Sequence, residues 1–136
     1  MRARKIAAVA MLTVCVLTGA GVGPAAATSG GLLPHPGPEG LVWVEEMTGD
    51  GGVVSGGARE GLPTVLTVAC EGGGSVRATM KQESQVAAFT VRCPVGSGGV
   101  DSVAMDAGVV KAGSFTVGID ASDEGIRWAL TVTQPE

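Results

Sequence analysis

Thr64-Val65-Leu66-Thr67-Val68-Ala69-Cys70, then Glu71-Gly72-Gly73-Gly74, then Ser75-Val76-Arg77-Ala78-Thr79-Met80-Lys81: this stretch decides the fold. Leu66, Val68 and Cys70 recur at every second position, and so do Val76, Ala78 and Met80, with Arg77, Thr79 and Lys81 between them. A period of two sends alternate side chains to opposite faces of a strand, so each run has one apolar and one wet face. The glycines between them break the pairing and supply a turn. The same alternation recurs outward in both directions. Val42 and Val44 flank Trp43 in the run Leu41 to Met47, and Phe89, Val91 and Cys93 share a face. Phe115, Val117 and Ile119 do likewise, as do Ile126, Trp128, Leu130 and Val132.

No segment carries a helical period of useful length. Short alternating runs between Gly-rich turns predict an all-β domain over residues 41–136, a two-sheet antiparallel sandwich with Greek-key or jelly-roll-like connections. An antibody-type domain is not expected, because Trp43 precedes both Cys70 and Cys93 and Trp128 follows both. Three local expectations complete the reading. Gly49-Asp50-Gly51-Gly52 forms a turn, and residues 101–109 hold at most one helical turn. Asp120 to Gly125 forms a polar hairpin turn joining Phe115–Ile119 to Ile126–Val132.

Cys70 and Cys93 fall on the apolar face of their strands, the phase that a core-facing disulfide needs. Two thiols this far apart without a partner histidine do not make a tetrahedral metal site, and the close spacing of a redox pair is absent. A structural disulfide is therefore expected, stabilising the fold by about 3 kcal/mol through the loop it closes.

The N-terminus sets the setting. Arg2, Arg4 and Lys5 precede an uncharged, Ala/Val/Leu-rich run from Ile6 to Val22, and Ala25-Ala26-Ala27 offers small residues for cleavage. Residues 1–27 thus read as a signal peptide, a signal helix cleaved after Ala27, and the mature chain as secreted and extracellular. The alternative is retention as a membrane anchor through residues 6–27. Leu12-Thr13-Val14 ahead of Cys15 lacks the small residue that lipoprotein processing requires. Residues 28–40 hold Pro34, Pro36 and Pro38 and read as a flexible, Pro/Gly-rich lead-in in which His35 is solvated.

The leader removes three of the 9 basic residues, whereas all 13 acidic residues lie beyond it, so the mature charge is about −7. Such a surface repels nucleic-acid phosphates, and no basic cluster is visible along the chain. The composition, without Asn or Tyr and rich in Gly, Ala and Val, leaves no N-glycosylation acceptor.

Catalysis lacks its parts. His35, the only imidazole, lies in the lead-in, so no base stands beside a serine nucleophile. Glu45 and Glu46 are adjacent and point to opposite faces if the strand is regular, which separates them as an acid/base pair. Asp120-Ala121-Ser122-Asp123-Glu124-Gly125 imitates the start of a calcium loop, but Thr131 stands where the bidentate Glu should be. No enzyme, cofactor or metal is expected. Phe89, Phe115 and Trp128 are in phase with the core, whereas Trp43 is out of step with Val42 and Val44. Trp43 with Glu45 is the candidate binding surface, with the loops at Gly49–Gly57 and Gly96–Gly99 beside it as surfaces of interest.

Cys70-Glu71-Gly72-Gly73-Gly74-Ser75-Val76, Val91-Arg92-Cys93-Pro94 and Trp128-Ala129-Leu130-Thr131-Val132 together resemble a loose group of small actinobacterial exported proteins, often lipoproteins. The resemblance implies a single-disulfide β-sandwich of unassigned function and carries no catalytic residue. The expected role is a secreted or cell-envelope interaction module for an unknown protein or a cell-wall polysaccharide. The alternative is a small inhibitor of an extracellular hydrolase that presents Pro94 to Gly99 behind the disulfide. Mass spectrometry of the exported product should give a chain beginning at Thr28, lighter by the hydrogens of one disulfide; a full-length chain with free thiols contradicts export.

Overall fold

The computed structural model describes residues 31–136. The expected signal peptide and residues 28–30 of the lead-in lie outside the described residues. Eight strands follow one short 3-10 turn at Gly37–Glu39: β1 (Gly40–Thr48), β2 (Gly51–Ala58), β3 (Thr64–Glu71), β4 (Ser75–Lys81), β5 (Gln85–Arg92), β6 (Gly99–Met105), β7 (Gly113–Ala121) and β8 (Arg127–Thr133). They form two four-stranded sheets, sheet I in the order β1-β8-β3-β6 and sheet II in the order β2-β7-β4-β5. Every pairing is antiparallel. This is the strand order of a jelly roll, two four-stranded sheets facing each other over one core.

The alternating residues fill that core. Leu66, Val68, Val76, Ala78, Met80, Val117, Trp128, Leu130 and Val132 are completely buried. Trp128, the largest of them, donates its indole N–H to the Gly49 carbonyl at 2.6 Å, so its one polar atom is satisfied inside an apolar site. Gln134 closes one end of the sandwich. Its side chain accepts from the Arg59 amide at 2.9 Å and donates to the Arg59 carbonyl at 2.8 Å and the Thr64 hydroxyl at 3.0 Å. Those bonds explain why Thr64 and Gln134 can be buried.

Cys70 of sheet I and Cys93, just past β5 of sheet II, form a disulfide with a Cα–Cα distance of 5.0 Å. The bond links the two sheets, and both residues are buried. Backbone hydrogen bonds brace the same corner: the Gly73 amide donates to the Cys93 carbonyl and the Cys93 amide to the Gly74 carbonyl. Gly72, Gly73 and Gly74 all have positive φ, which makes the tight turn there inexpensive only for glycine.

Several local expectations are corrected. The Gly49–Gly52 turn is confined to Gly49-Asp50, and Gly51 to Ala58 is a strand. β2 forms by backbone pairing to β7 and offers almost no apolar period, so the glycines hid it. Residues 99–105 are strand β6, an edge strand with few buried residues, so the first half of 101–109 is extended and holds no helical turn. Asp120 to Gly125 is not a hairpin turn, since β7 belongs to sheet II and β8 to sheet I. The segment arches across the sandwich and drops Ile126 into the core. Phe89 sits on the edge strand β5 and is only partly buried. Glu45 and Glu46 do not alternate, because β1 carries one extra residue between Val44 (opposite Leu130) and Met47 (opposite Trp128). Both carboxylates are exposed.

The lead-in is tied down where it is described. Gly37–Glu39 forms the 3-10 turn, the Glu39 carbonyl accepts the Gln134 amide at 3.0 Å, and the His35 ring meets Trp43 edge-on at 4.8 Å. Its Nδ1 accepts the Gly37 amide at 3.0 Å. His35 is exposed, and its ring edge rests against the Trp43 indole. A Cys70→Ser/Cys93→Ser variant should unfold in urea with about 3 kcal/mol less stability than the oxidised protein, since the bond closes a loop of 23 residues in sequence.

Candidate binding face

The outer face of sheet II is built by its register. Gly52 lies opposite Gly118, Gly118 opposite Thr79, and Thr79 opposite Ala88. This row crosses all four strands with no side chain larger than threonine. On one side stand Val54, Thr116 and Lys81, which are successive partners; on the other stand Asp120, Arg77 and Thr90. Opposed residues in a sheet share a face, so the two taller rows wall a trough whose floor is glycine backbone.

The trough has a volume of about 440 Å³ and is lined by Asp50, Thr79, Lys81, Thr116, Gly118 and Asp120 among others. A second depression of about 730 Å³ shares Lys81 and Thr116 with it and extends to Lys111 and Ser84. Gln82 fixes its far wall. Its side chain donates to the Lys111 carbonyl at 2.9 Å and the Ser114 carbonyl at 3.2 Å, and accepts the Lys111 amide at 2.8 Å. The connection into β7 is thereby clasped to the β4–β5 hairpin. Asp50 accepts the Ala121 amide at 2.8 Å, which holds the other end of the trough.

The fold also sorts charge. The strands of sheet I carry Glu45, Glu46, Glu71 and Asp101 against Arg127 alone. Those of sheet II carry Arg77, Lys81 and Arg92 against Asp120. Arg127 is neutralised by Glu46 at 3.0 Å and by Glu71. Arg59 pairs with Glu136 at 3.2 Å and Lys111 with Glu60 at 3.1 Å. None of the ion pairs among the described residues includes Arg77, Lys81 or Arg92. This basic row escaped sequence reading because its members come from two strands and belong to an acidic chain; the outward phase of Arg77 and Lys81 was the available signal.

The residues singled out from sequence lie elsewhere. Trp43 and Glu45 are on β1, an edge strand of sheet I, apart from the trough. Trp43 is 38% exposed, and His35 occupies part of its surroundings. The Pro94–Gly99 loop leaves the disulfide corner with Val95 81% exposed, and the Gly72 amide holds the Pro94 carbonyl at 3.3 Å. In the calcium-like segment, Asp123 accepts the Gly125 amide at 2.8 Å and the Ser122 hydroxyl accepts the Ser75 amide at 3.0 Å. Those oxygens serve the arch between the sheets. Among the described residues no three His, Cys, Asp or Glu side chains converge in a metal-holding group.

Comparison with protein-family profiles, curated proteins and solved structures returns no match for the chain.

The two glycines of the trough floor differ in what they permit. A Cβ on Gly118 meets no atom within 4 Å, whereas one on Gly52 runs into the Val117 carbonyl. Gly118→Val should therefore keep or raise stability, by up to about 1 kcal/mol. Gly52→Val should lower it, and urea denaturation of the two variants checks the contrast.

Proposed function

We propose that this chain is an exported, non-catalytic β-sandwich that binds an unassigned protein or cell-wall polysaccharide outside the cytoplasm, using the outer face of sheet II. The observation that carries the reading is the trough: a recess with a glycine floor, hydroxyl and charged walls, one end held by Asp50 and the adjoining depression clasped by Gln82. A pre-formed recess of this kind lowers the ordering cost of binding. The disulfide is compatible with an oxidising, extracellular setting. Export rests on the leader-like residues 1–27. Among the described residues no helix is long and apolar enough to cross a membrane; an anchor through residues 6–27 is the second form of the same proposal.

A hydrolase inhibitor is the second reading, and one observation favours it. Val95 is the most exposed large hydrophobic residue described, on a loop held by the disulfide corner. Substrate-like inhibitors present such a side chain on a braced loop.

Retention of the exported protein on insoluble cell-envelope material tests the first reading. Gly118→Val should weaken retention at unchanged stability, while Trp43→Ala and Val95→Asp leave it intact. If Trp43→Ala is the damaging variant, the binding surface is on sheet I and the trough assignment fails. If wild type inhibits a panel of secreted hydrolases and Val95→Asp does not, the inhibitor reading replaces it.

A further inference from the structure

We infer that the trough of sheet II takes an anionic glycan chain, one bearing carboxylate or phosphate groups between hydroxyl-rich units. The inference rests on the proposed binding role of that face and names its ligand class. Residues 28–136 contain six cations, of which Arg59, Lys111 and Arg127 are paired with carboxylates. The other three, Arg77, Lys81 and Arg92, all lie on β4 and β5. Arg92 is opposite Ser75, and Arg77 and Lys81 follow in the same outward phase. At about 3.3 Å per residue, Arg77 and Lys81 stand about 13 Å apart, with Arg92 beside the next step about 7 Å beyond Arg77. They make a line of charges that runs along β4 and β5 across the recess, with Lys81 on one wall, Arg77 on the other and Arg92 beyond it, on a molecule that is otherwise acidic.

That spacing suits a sparsely charged polymer. A nucleic-acid backbone carries a phosphate at every nucleotide, and its other charges would face the acidic remainder of the molecule. An acidic peptide fits less well, because its closely spaced carboxylates would fall beside Asp50 and Asp120 as well as beside the cations. Sugar hydroxyls instead donate to those carboxylates, and the Thr79 and Thr116 hydroxyls extend the polar lining. The glycine floor lets a flat, wide chain approach the backbone. No aromatic ring lines the trough, so affinity leans on charge and must be sensitive to salt.

The full exported chain should be tested by biolayer interferometry on immobilised hyaluronan, which carries one carboxylate per disaccharide, and on dextran and poly-L-glutamate. Wild type should bind hyaluronan over dextran, with affinity falling about tenfold between 50 and 200 mM salt, as release of a few counterions requires. The Arg77→Gln/Lys81→Gln/Arg92→Gln variant should lose about tenfold or more at low salt, and Arg59→Gln should change little. Gly118→Val, which fills the trough and keeps every charge, should also bind less and guards against a folding defect in the triple variant. Equal binding to dextran, preference for poly-L-glutamate, or an equal loss in Arg59→Gln overturns the inference. Envelope retention separates the two levels. If hyaluronan is not bound but retention still depends on Gly118, only the glycan fails; if retention ignores Gly118, the binding face itself fails.

Discussion

The bond between Cys70 and Cys93 joins the two sheets of a chain that changes sheet at almost every connection. Only β4 and β5 are consecutive and paired; every other link crosses from one sheet to the other. Few contacts are therefore local, and apart from the β4–β5 hairpin the paired strands lie far apart in sequence. Such folds meet the loop-closure cost before the core repays it. A covalent tie between the sheets shrinks the unfolded ensemble at that point. The same corner orders the Gly72–Gly74 turn and the start of the Pro94–Gly99 loop through backbone hydrogen bonds.

Around that tie the apolar residues are arranged by phase alone. Trp128 is the largest fully buried side chain, and its indole N–H is answered by the Gly49 carbonyl at the β1–β2 turn. The turn connecting sheets at one end is thus bonded to the largest core residue. At the other end Gln134 binds Arg59 and Thr64, so the last strand, the β2–β3 connection and the start of β3 are locked together. The buried side chains of Gln134 and Thr64 are thereby satisfied, which is the condition for burying them.

The face that carries the proposed function is a by-product of the same register. Gly52, Gly118, Thr79 and Ala88 contribute nothing to the core, being on the outward phase. Their small size leaves the outer surface of sheet II recessed, while β4 and β5 line up Arg77, Lys81 and Arg92 along it. Sheet I shows the contrary pattern, acidic and with Arg127 held between Glu46 and Glu71. An acidic net charge can thus coexist with a basic strip, because the sandwich places the two charge populations on different sheets.

Alternation of apolar residues was sufficient to determine an all-β sandwich, the inward phase of both cysteines, and the burial of Trp128 and Phe115. These depend on interactions between a side chain and a generic core, which a period of two encodes locally. β2 and β6 were not legible in the same way, because edge strands bury little and are held by backbone bonds to partners distant in sequence. The sheet-crossing arch at 120–125 was missed for a related reason: a polar turn looks the same whether the next strand pairs with the last or crosses the core. The trough and the basic strip that crosses it were decided by the tertiary structure alone. They arise from residues side by side on different strands, and that adjacency is a property of register, which no single segment contains.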